Sequence, residues 1–119
     1  MKFCHVTLSV KDLDASVRFY QEIVGLEIIR RFPAGPDRDI VFMGSGSTEV
    51  ELISGAVSDG QCVGKGISLG FNTVSLEDTI ALLHEKGYKT DGNIVSPNPN
   101  TSFFFARDPD GYSVQFVKS

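Results

Sequence analysis

The chain has 119 residues, enough for one domain and too few for two ordinary ones. Hydrophobic residues make up 41% and charged residues 22%, which is typical of globular proteins and excludes a disordered or fibrous chain. The 11 basic and 15 acidic residues include no cluster of Lys and Arg, so nucleic acid is a poor candidate partner. No apolar run approaches the length of about 20 residues that a membrane helix requires.

The two cysteines, Cys4 and Cys62, form neither a CxxC pair nor a disulfide framework. The N-terminus turns directly into strand-like sequence and lacks the pattern of a signal peptide. These features predict a protein of the reducing cytoplasm. Cys4 alternates onto the apolar face of the first predicted strand and is expected in the core.

The first half of the chain predicts one strand, one helix and three further strands. Apolar and polar residues alternate from Phe3 to Val10, which indicates a half-buried strand with His5 on its polar face. An amphipathic helix is predicted from Asp12 to Val24, with Asp12 or Asp14 as its N-cap and Gly25 at its end. The strand-like runs that follow are Leu26 to Phe32, Asp39 to Met43 and Glu49 to Ile53.

The second half repeats this order. A strand is predicted from Gly66 to Thr73, and then a helix that Ser75 caps and Gly87 ends. The PNPN and DPDG sequences supply the turns between the last strands. The strand-like runs of this half are Tyr88 to Val95, Thr101 to Ala106 and Tyr112 to Val117.

The chain is therefore predicted to be an α+β protein made of paired β-α-β-β-β modules. Module 1 spans residues 1–54, a Gly/Ser-rich connector spans 55–65, and module 2 spans 66–119. Each module forms a curled mixed sheet with a helix on one face, and the polar faces line an inner groove. A small-molecule ligand is expected in that groove.

Two stretches resemble a known family. HVTLSVKDLDASVRFYQEIVGL, from His5 to Leu26, is similar to the opening strand and helix of glyoxalase I, and FFFARDPDGYSVQFV, from Phe103 to Val117, is similar to the closing hairpin of the same family. The chain thus resembles the vicinal oxygen chelate superfamily over nearly its whole length. This superfamily includes glyoxalase I, bleomycin-resistance proteins, fosfomycin-resistance proteins and extradiol dioxygenases.

The resemblance implies a metal site built from inward residues on four strands. His5, Glu51 and Gln115 match three of its ligand positions, and these donor types suit Zn, Ni, Mn or Fe(II). The third position in chain order is Gly66 or Ser68, depending on the alignment, and neither is a histidine. The resemblance also implies that a carboxylate at a ligand position transfers the proton, and Glu51 is the matched carboxylate because the amide of Gln115 cannot act as a base.

Two functions are consistent with this pattern. The first is a glyoxalase-like lyase or isomerase that binds a divalent metal and a small oxygen-chelating substrate. The alternative is a metal-free binding protein like the bleomycin-resistance proteins, since Gly66, Ser68 and Gln115 are uncharged. Arg30, Arg31 and Arg38 are expected to be exposed, with contact to an anionic substrate near the mouth of the groove as the alternative. The resemblance further implies a homodimer, because family members with one such pair of modules per chain are usually dimeric.

Overall fold

A computed structural model describes residues 1–44, 46–55 and 67–118 of the chain. Two compact units are found, unit 1 (Met1–Val63) and unit 2 (Gly64–Ser119). Unit 1 contains β1 (His5–Val10), α1 (Leu13–Glu22), β2 (Glu27–Pro33), β3 (Asp39–Gly44) and β4 (Glu49–Ser54). Unit 2 contains β5 (Ser68–Asn72), α2 (Leu76–Glu85), β6 (Thr90–Asn98), β7 (Thr101–Arg107) and β8 (Ser113–Lys118). Among the described residues, no helix is long and apolar enough to cross a membrane.

Both units have the same strand order. In unit 1 the order is β1-β4-β3-β2, and in unit 2 it is β5-β8-β7-β6. The first strand of each unit runs parallel to the last one, and the other pairs are antiparallel. A parallel pair needs a long crossover connection, which the helix and two strands between them provide. The predicted α+β class, with two mixed four-stranded sheets and one helix in each repeat, is confirmed.

The apolar face of each sheet carries the core. In unit 1, α1 packs against β3 and β4, and the side chains of Val41 and Leu52 are fully buried. Phe19 and Tyr20 of α1 are also fully buried, with their rings 5.1 Å apart in an edge-to-face arrangement. In unit 2, α2 packs against β6 and β8, and Leu83 is fully buried. Because side chains alternate along a strand, the polar residues of these strands lie on the opposite face.

The helix ends follow the sequence signals. The side chain of Asp12, and not that of Asp14, accepts a backbone N–H of the first turn of α1 at 3.1 Å. Ser75 caps α2 in the same way at 3.2 Å. Gly25 and Gly87 follow the two helices with φ of +84° and +86°, a left-handed conformation that other residues adopt at a cost.

One segment differs from the prediction, and another lies outside the residues that the structure describes. β6 extends to Asn98 and thus into the PNPN sequence, which leaves only Pro99 and Asn100 in the turn. The Asn98 side chain accepts the backbone N–H of Asn100 at 2.9 Å, and this local bond allows the tight turn. The predicted connector 55–65 lies outside the described residues except for its first residue, as do Cys62 and Gly66.

Candidate functional site

The polar face of unit 1 brings together residues from the two ends of its sequence. β1 and β4 pair in parallel, with His5 opposite Glu49 and Thr7 opposite Glu51. These four side chains share one face because each strand contributes alternate residues. Val50 and Leu52, the neighbours of Glu51, are buried on the other face. The sheet therefore presents one imidazole, one hydroxyl and two carboxylates on its polar face.

The carboxylate of Glu51 is contacted by two of the other side chains on this face. Its Oε1 accepts a hydrogen bond from the Thr7 hydroxyl at 2.6 Å and lies 3.4 Å from Nε2 of His5. The first bond is short for a hydrogen bond from a hydroxyl to a carboxylate oxygen. The side chain of Glu51 is 13% exposed and that of His5 is 38% exposed. The carboxylate is thus fixed at the sheet surface, and the imidazole beside it is open to a ligand.

Two further contacts orient the imidazole of His5. Phe42 of β3, which pairs with Glu51, places its ring edge-to-face with the imidazole at a centroid distance of 5.4 Å. Sγ of Cys4 lies 3.4 Å from Nδ1 of His5. Cys4 is exposed, so its expected place in the core is wrong. The reason is that β1 begins only at His5, and the alternation that would bury Cys4 has not yet started.

Arg30 and Glu49 form a second charged pair on this face. Both carboxylate oxygens of Glu49 accept hydrogen bonds from the Arg30 guanidinium, at 3.3 and 3.4 Å. The guanidinium also lies over the ring of Phe42, 3.9 Å from its centroid, in a cation–π contact. Arg30 pairs with Phe42 across β2 and β3. A continuous row therefore crosses the sheet from Thr7 through Glu51 and Phe42 to Arg30.

Unit 2 carries a corresponding row that runs from Gly70 through Gln115 and Phe105 to Asp91, with an amide in place of the Glu51 carboxylate. Gln115 of β8 pairs with Gly70 of β5 on one side and with Phe105 of β7 on the other. Its Oε1 would lie 3.7 Å from a Cβ built on Gly70, so the amide lies beside that glycine. Phe105 makes an edge-to-face contact with Phe103 at 5.7 Å. Gln115 thus occupies the place in unit 2 that Glu51 occupies in unit 1.

The strand register also identifies the counterpart of His5. In unit 1, the strand partner of Glu51 is Thr7, and His5 lies two residues before Thr7. In unit 2, the strand partner of Gln115 is Gly70, and Ser68 lies two residues before Gly70. Ser68 is therefore the register counterpart of His5, whereas Gly66, the other alignment, lies outside the described residues.

The His5 and Glu51 pair has the geometry of two ligands of one ion. Nitrogen and oxygen atoms bound at about 2.0–2.2 Å, with an angle of 90° to 110° between them, lie roughly 2.8–3.6 Å apart. The observed Nε2 to Oε1 distance of 3.4 Å falls in that range. Within residues 1–44, 46–55 and 67–118, no group of three or more His, Cys, Asp and Glu side chains could hold a metal ion. The distance between the two donor atoms would allow both to bind one divalent ion, with the remaining ligands supplied by other groups.

Sequence reasoning missed the side chains that support this pair. Thr7 appears in the alternating pattern only as a polar residue, and nothing local connects it to Glu51, which is 44 residues away. The ion pair of Arg30 with Glu49 was missed for the same reason, although Arg30 is half-exposed as expected. Phe42 lies in a strand whose residues are nearly all buried, so its place on the polar face gave no periodic signal.

The chain is therefore an α+β protein built from two β-α-β-β-β units, each with a mixed sheet and one helix. The sequence model of the Glyoxalase/Bleomycin resistance protein/Dioxygenase superfamily matches residues 2–116. The chain belongs to this superfamily, as the sequence resemblance predicted.

Known proteins resemble the chain over nearly its full length. The "Lactoylglutathione lyase" of Neisseria meningitidis serogroup B is 30% identical over 129 residues, which cover 99% of this chain and 91% of that protein. The "Probable lactoylglutathione lyase" of Synechocystis sp. is 29% identical over 132 residues, covering 100% and 96%. A solved structure of the trypanothione-dependent glyoxalase I of Leishmania major matches with a TM-score of 0.80 at 24% identity, covering 99% of this chain and 86% of that one. The chain is therefore a lactoylglutathione lyase-like member of the superfamily, and the solved structure supports the fold.

Proposed function

We propose that the chain is a divalent-metal-dependent lyase of the glyoxalase type, acting on a small substrate with two adjacent oxygens such as the thiol adduct of a 2-oxoaldehyde. The observation that carries the proposal is the meeting of His5 Nε2 and Glu51 Oε1 at 3.4 Å on the polar face of unit 1. These are two of the positions at which the family resemblance expects ligands. The names of the relatives support the same chemistry.

In this proposal His5, Glu51 and Gln115 would each supply one ligand to the ion: an imidazole nitrogen, a carboxylate oxygen and an amide oxygen. An ion such as Zn²⁺, Ni²⁺, Mn²⁺ or Fe²⁺ would act as a Lewis acid and stabilise negative charge on the two adjacent substrate oxygens. Gln115 is included because it is the counterpart of Glu51 in the strand register of unit 2.

Glu51 is proposed to transfer the proton. Thr7 and His5 both approach its Oε1, and Oε2 has no hydrogen-bond partner in the described part of the chain. We assign the proton to Oε2, which would take it from one carbon of the substrate and return it to the neighbouring carbon. No redox partner is required, because the substrate is only isomerised. The hydroxyl of Thr7 would hold the carboxylate in one orientation during both transfers.

Elemental analysis tests the metal part of the proposal. Protein purified without chelator and supplied with Ni²⁺ or Zn²⁺ is expected to retain about one ion per chain after desalting, and His5→Ala is expected to lose it. His84→Ala is the matched control, since His84 is the second of the 2 histidines and lies in the last turn of α2. This control should keep the ion. A metal content near zero in the parent and in His5→Ala alike would contradict the proposal.

An activity assay tests the role of Glu51. Thioester formation from methylglyoxal and glutathione is expected in the metal-loaded parent and is expected to fall at least about 100-fold in Glu51→Gln, the range for loss of a general base. A Glu51→Gln variant with full activity would exclude this carboxylate as the base.

The alternative hypothesis is a metal-free binding protein. It predicts ligand-induced thermal shifts that persist in excess EDTA. The relatives named above favour the lyase. We also propose that the chain acts as a homodimer and that it is located in the cytoplasm.

A further inference from the structure

The polar face of unit 1 holds two carboxylates, and they are used differently. Glu49 and Glu51 are two residues apart on β4 and point to the same side of the sheet. Glu51 turns toward β1, where His5 and Thr7 contact it. Glu49 stands opposite His5 in the strand register, yet its carboxylate bonds to Arg30 on the far strand β2.

Glu49 reaches Arg30 by crossing a strand that has no side chain at that point. Its partner on β3 is Gly44, and Cγ of Glu49 would lie 3.5 Å from a Cβ built on that glycine. The side chain of Glu49 therefore extends over Gly44 toward β2. In the described part of the chain, Arg30 is the only side chain that bonds to the Glu49 carboxylate.

Arg30 is itself held in place by Phe42. Its guanidinium lies 3.9 Å from the centroid of that ring, and Phe32 stacks with Phe42 at 6.2 Å. A planar guanidinium that rests on an aromatic ring presents its N–H groups in a fixed direction. The N–H groups of Arg30 point at the Glu49 carboxylate and hold it on the side of β2, away from His5.

We propose that Arg30 is a positioning residue that withdraws Glu49 from the His5 and Glu51 pair, so that Glu51 remains the single carboxylate available to a bound ion on this face. The inference rests on the proposed function and adds a determinant of ion affinity to it. Without Arg30, the Glu49 carboxylate would be free to turn toward His5, its neighbour across β1 and β4. It would then supply a third ligand from within unit 1 and bind the ion too tightly, which reduces the positions left for substrate oxygens.

A double-mutant cycle tests the proposal with Co²⁺ as the probe. The proteins are the parent, Arg30→Gln, Glu49→Gln and the double variant, with Co²⁺ affinity measured by calorimetry. Arg30→Gln is expected to tighten Co²⁺ binding at least about tenfold, and the double variant is expected to return to within about threefold of the parent. Glu49→Gln alone should change the affinity less than about threefold, because Arg30 already keeps that carboxylate from the ion. The visible absorption of bound Co²⁺ should change in Arg30→Gln and revert in the double variant, since it reports the ligand set.

The cycle separates positioning from a simple effect of charge. If Arg30 acts only through its positive charge, Glu49→Gln will weaken binding by the same factor with and without Arg30, and that additive result overturns the proposal. Arg31→Gln is the matched control, because Arg31 is the next residue of β2 and pairs with Asp14 at 3.3 Å. It should leave both affinity and spectrum unchanged.

The proposed function and this inference fail in different ways. A parent that binds Co²⁺ through His5 but gives an additive cycle refutes the inference and leaves the function standing. A parent without measurable binding, combined with tight, Glu49-dependent binding in Arg30→Gln, refutes the function and supports the inference. Absence of Co²⁺ binding in all four proteins overturns both.

Discussion

The bond between Thr7 and Glu51 gives a direct measure of how firmly the candidate base is held. Thr7→Val removes the hydroxyl and keeps the β-branched shape that suits a strand. The lost bond is 2.6 Å long and ends on a carboxylate that is only 13% exposed, so water replaces it incompletely. Hydrogen bonds to charged groups contribute about 1.5–3 kcal/mol, and we expect the free energy of unfolding to fall by about 1.5–2 kcal/mol.

Urea denaturation of four proteins measures this value: the parent, Thr7→Val, Glu51→Gln and the double variant. For a urea dependence of about 1–3 kcal/mol per molar, the transition midpoint of Thr7→Val should fall by about 0.5–2 M. The two substitutions should be non-additive by about 1 kcal/mol or more, because each removes the same bond. Thr7→Ser keeps the hydroxyl and should lose much less stability than Thr7→Val. A Thr7→Val protein within about 0.5 kcal/mol of the parent would refute the reasoning.

Three other predictions concern the helix ends, the internal repeat and the assembly. Gly25→Ala should cost about 1–2 kcal/mol of unfolding free energy in urea, because φ is +84° there. Gly46→Ala should be nearly neutral, because Gly46 is not among the glycines with positive φ and a Cβ there meets nothing within 4 Å; equal effects would contradict this. Ser68→His combined with Gln115→Glu gives unit 2 the donors of unit 1 and should tighten Ni²⁺ or Zn²⁺ binding at least about tenfold, or roughly 1.4 kcal/mol, by calorimetry. Unchanged affinity would argue that Ser68 and Gln115 are not the counterparts of His5 and Glu51. Sedimentation at micromolar concentration should give twice the 13.0 kDa of one chain, and a monomer would contradict the homodimer.

Local sequence signals determined most of the fold. Alternation along β1 and β4 correctly put His5 and Glu51 on polar faces, because strand side chains point to opposite sides with a period of two. Capping residues and glycines marked the ends of both helices, since those signals act within one turn. The repetition of the whole pattern predicted two β-α-β-β-β units. The family resemblance then pointed to His5, Glu51 and Gln115 as a set, although their common role remains a proposal.

The tertiary structure alone decided which side chains meet. Strand pairing joins segments that are far apart in sequence, and its register depends on the whole sheet, so periodicity gives no information about partners. The pairing of β1 with β4 put Thr7 opposite Glu51, and the matching pairing of β5 with β8 made Ser68 the counterpart of His5. The pairing of β2 with β3 placed Arg30 on the ring of Phe42 and within reach of Glu49. The sequence by itself determined which faces are polar, and the long-range register determined how the groups on those faces are held.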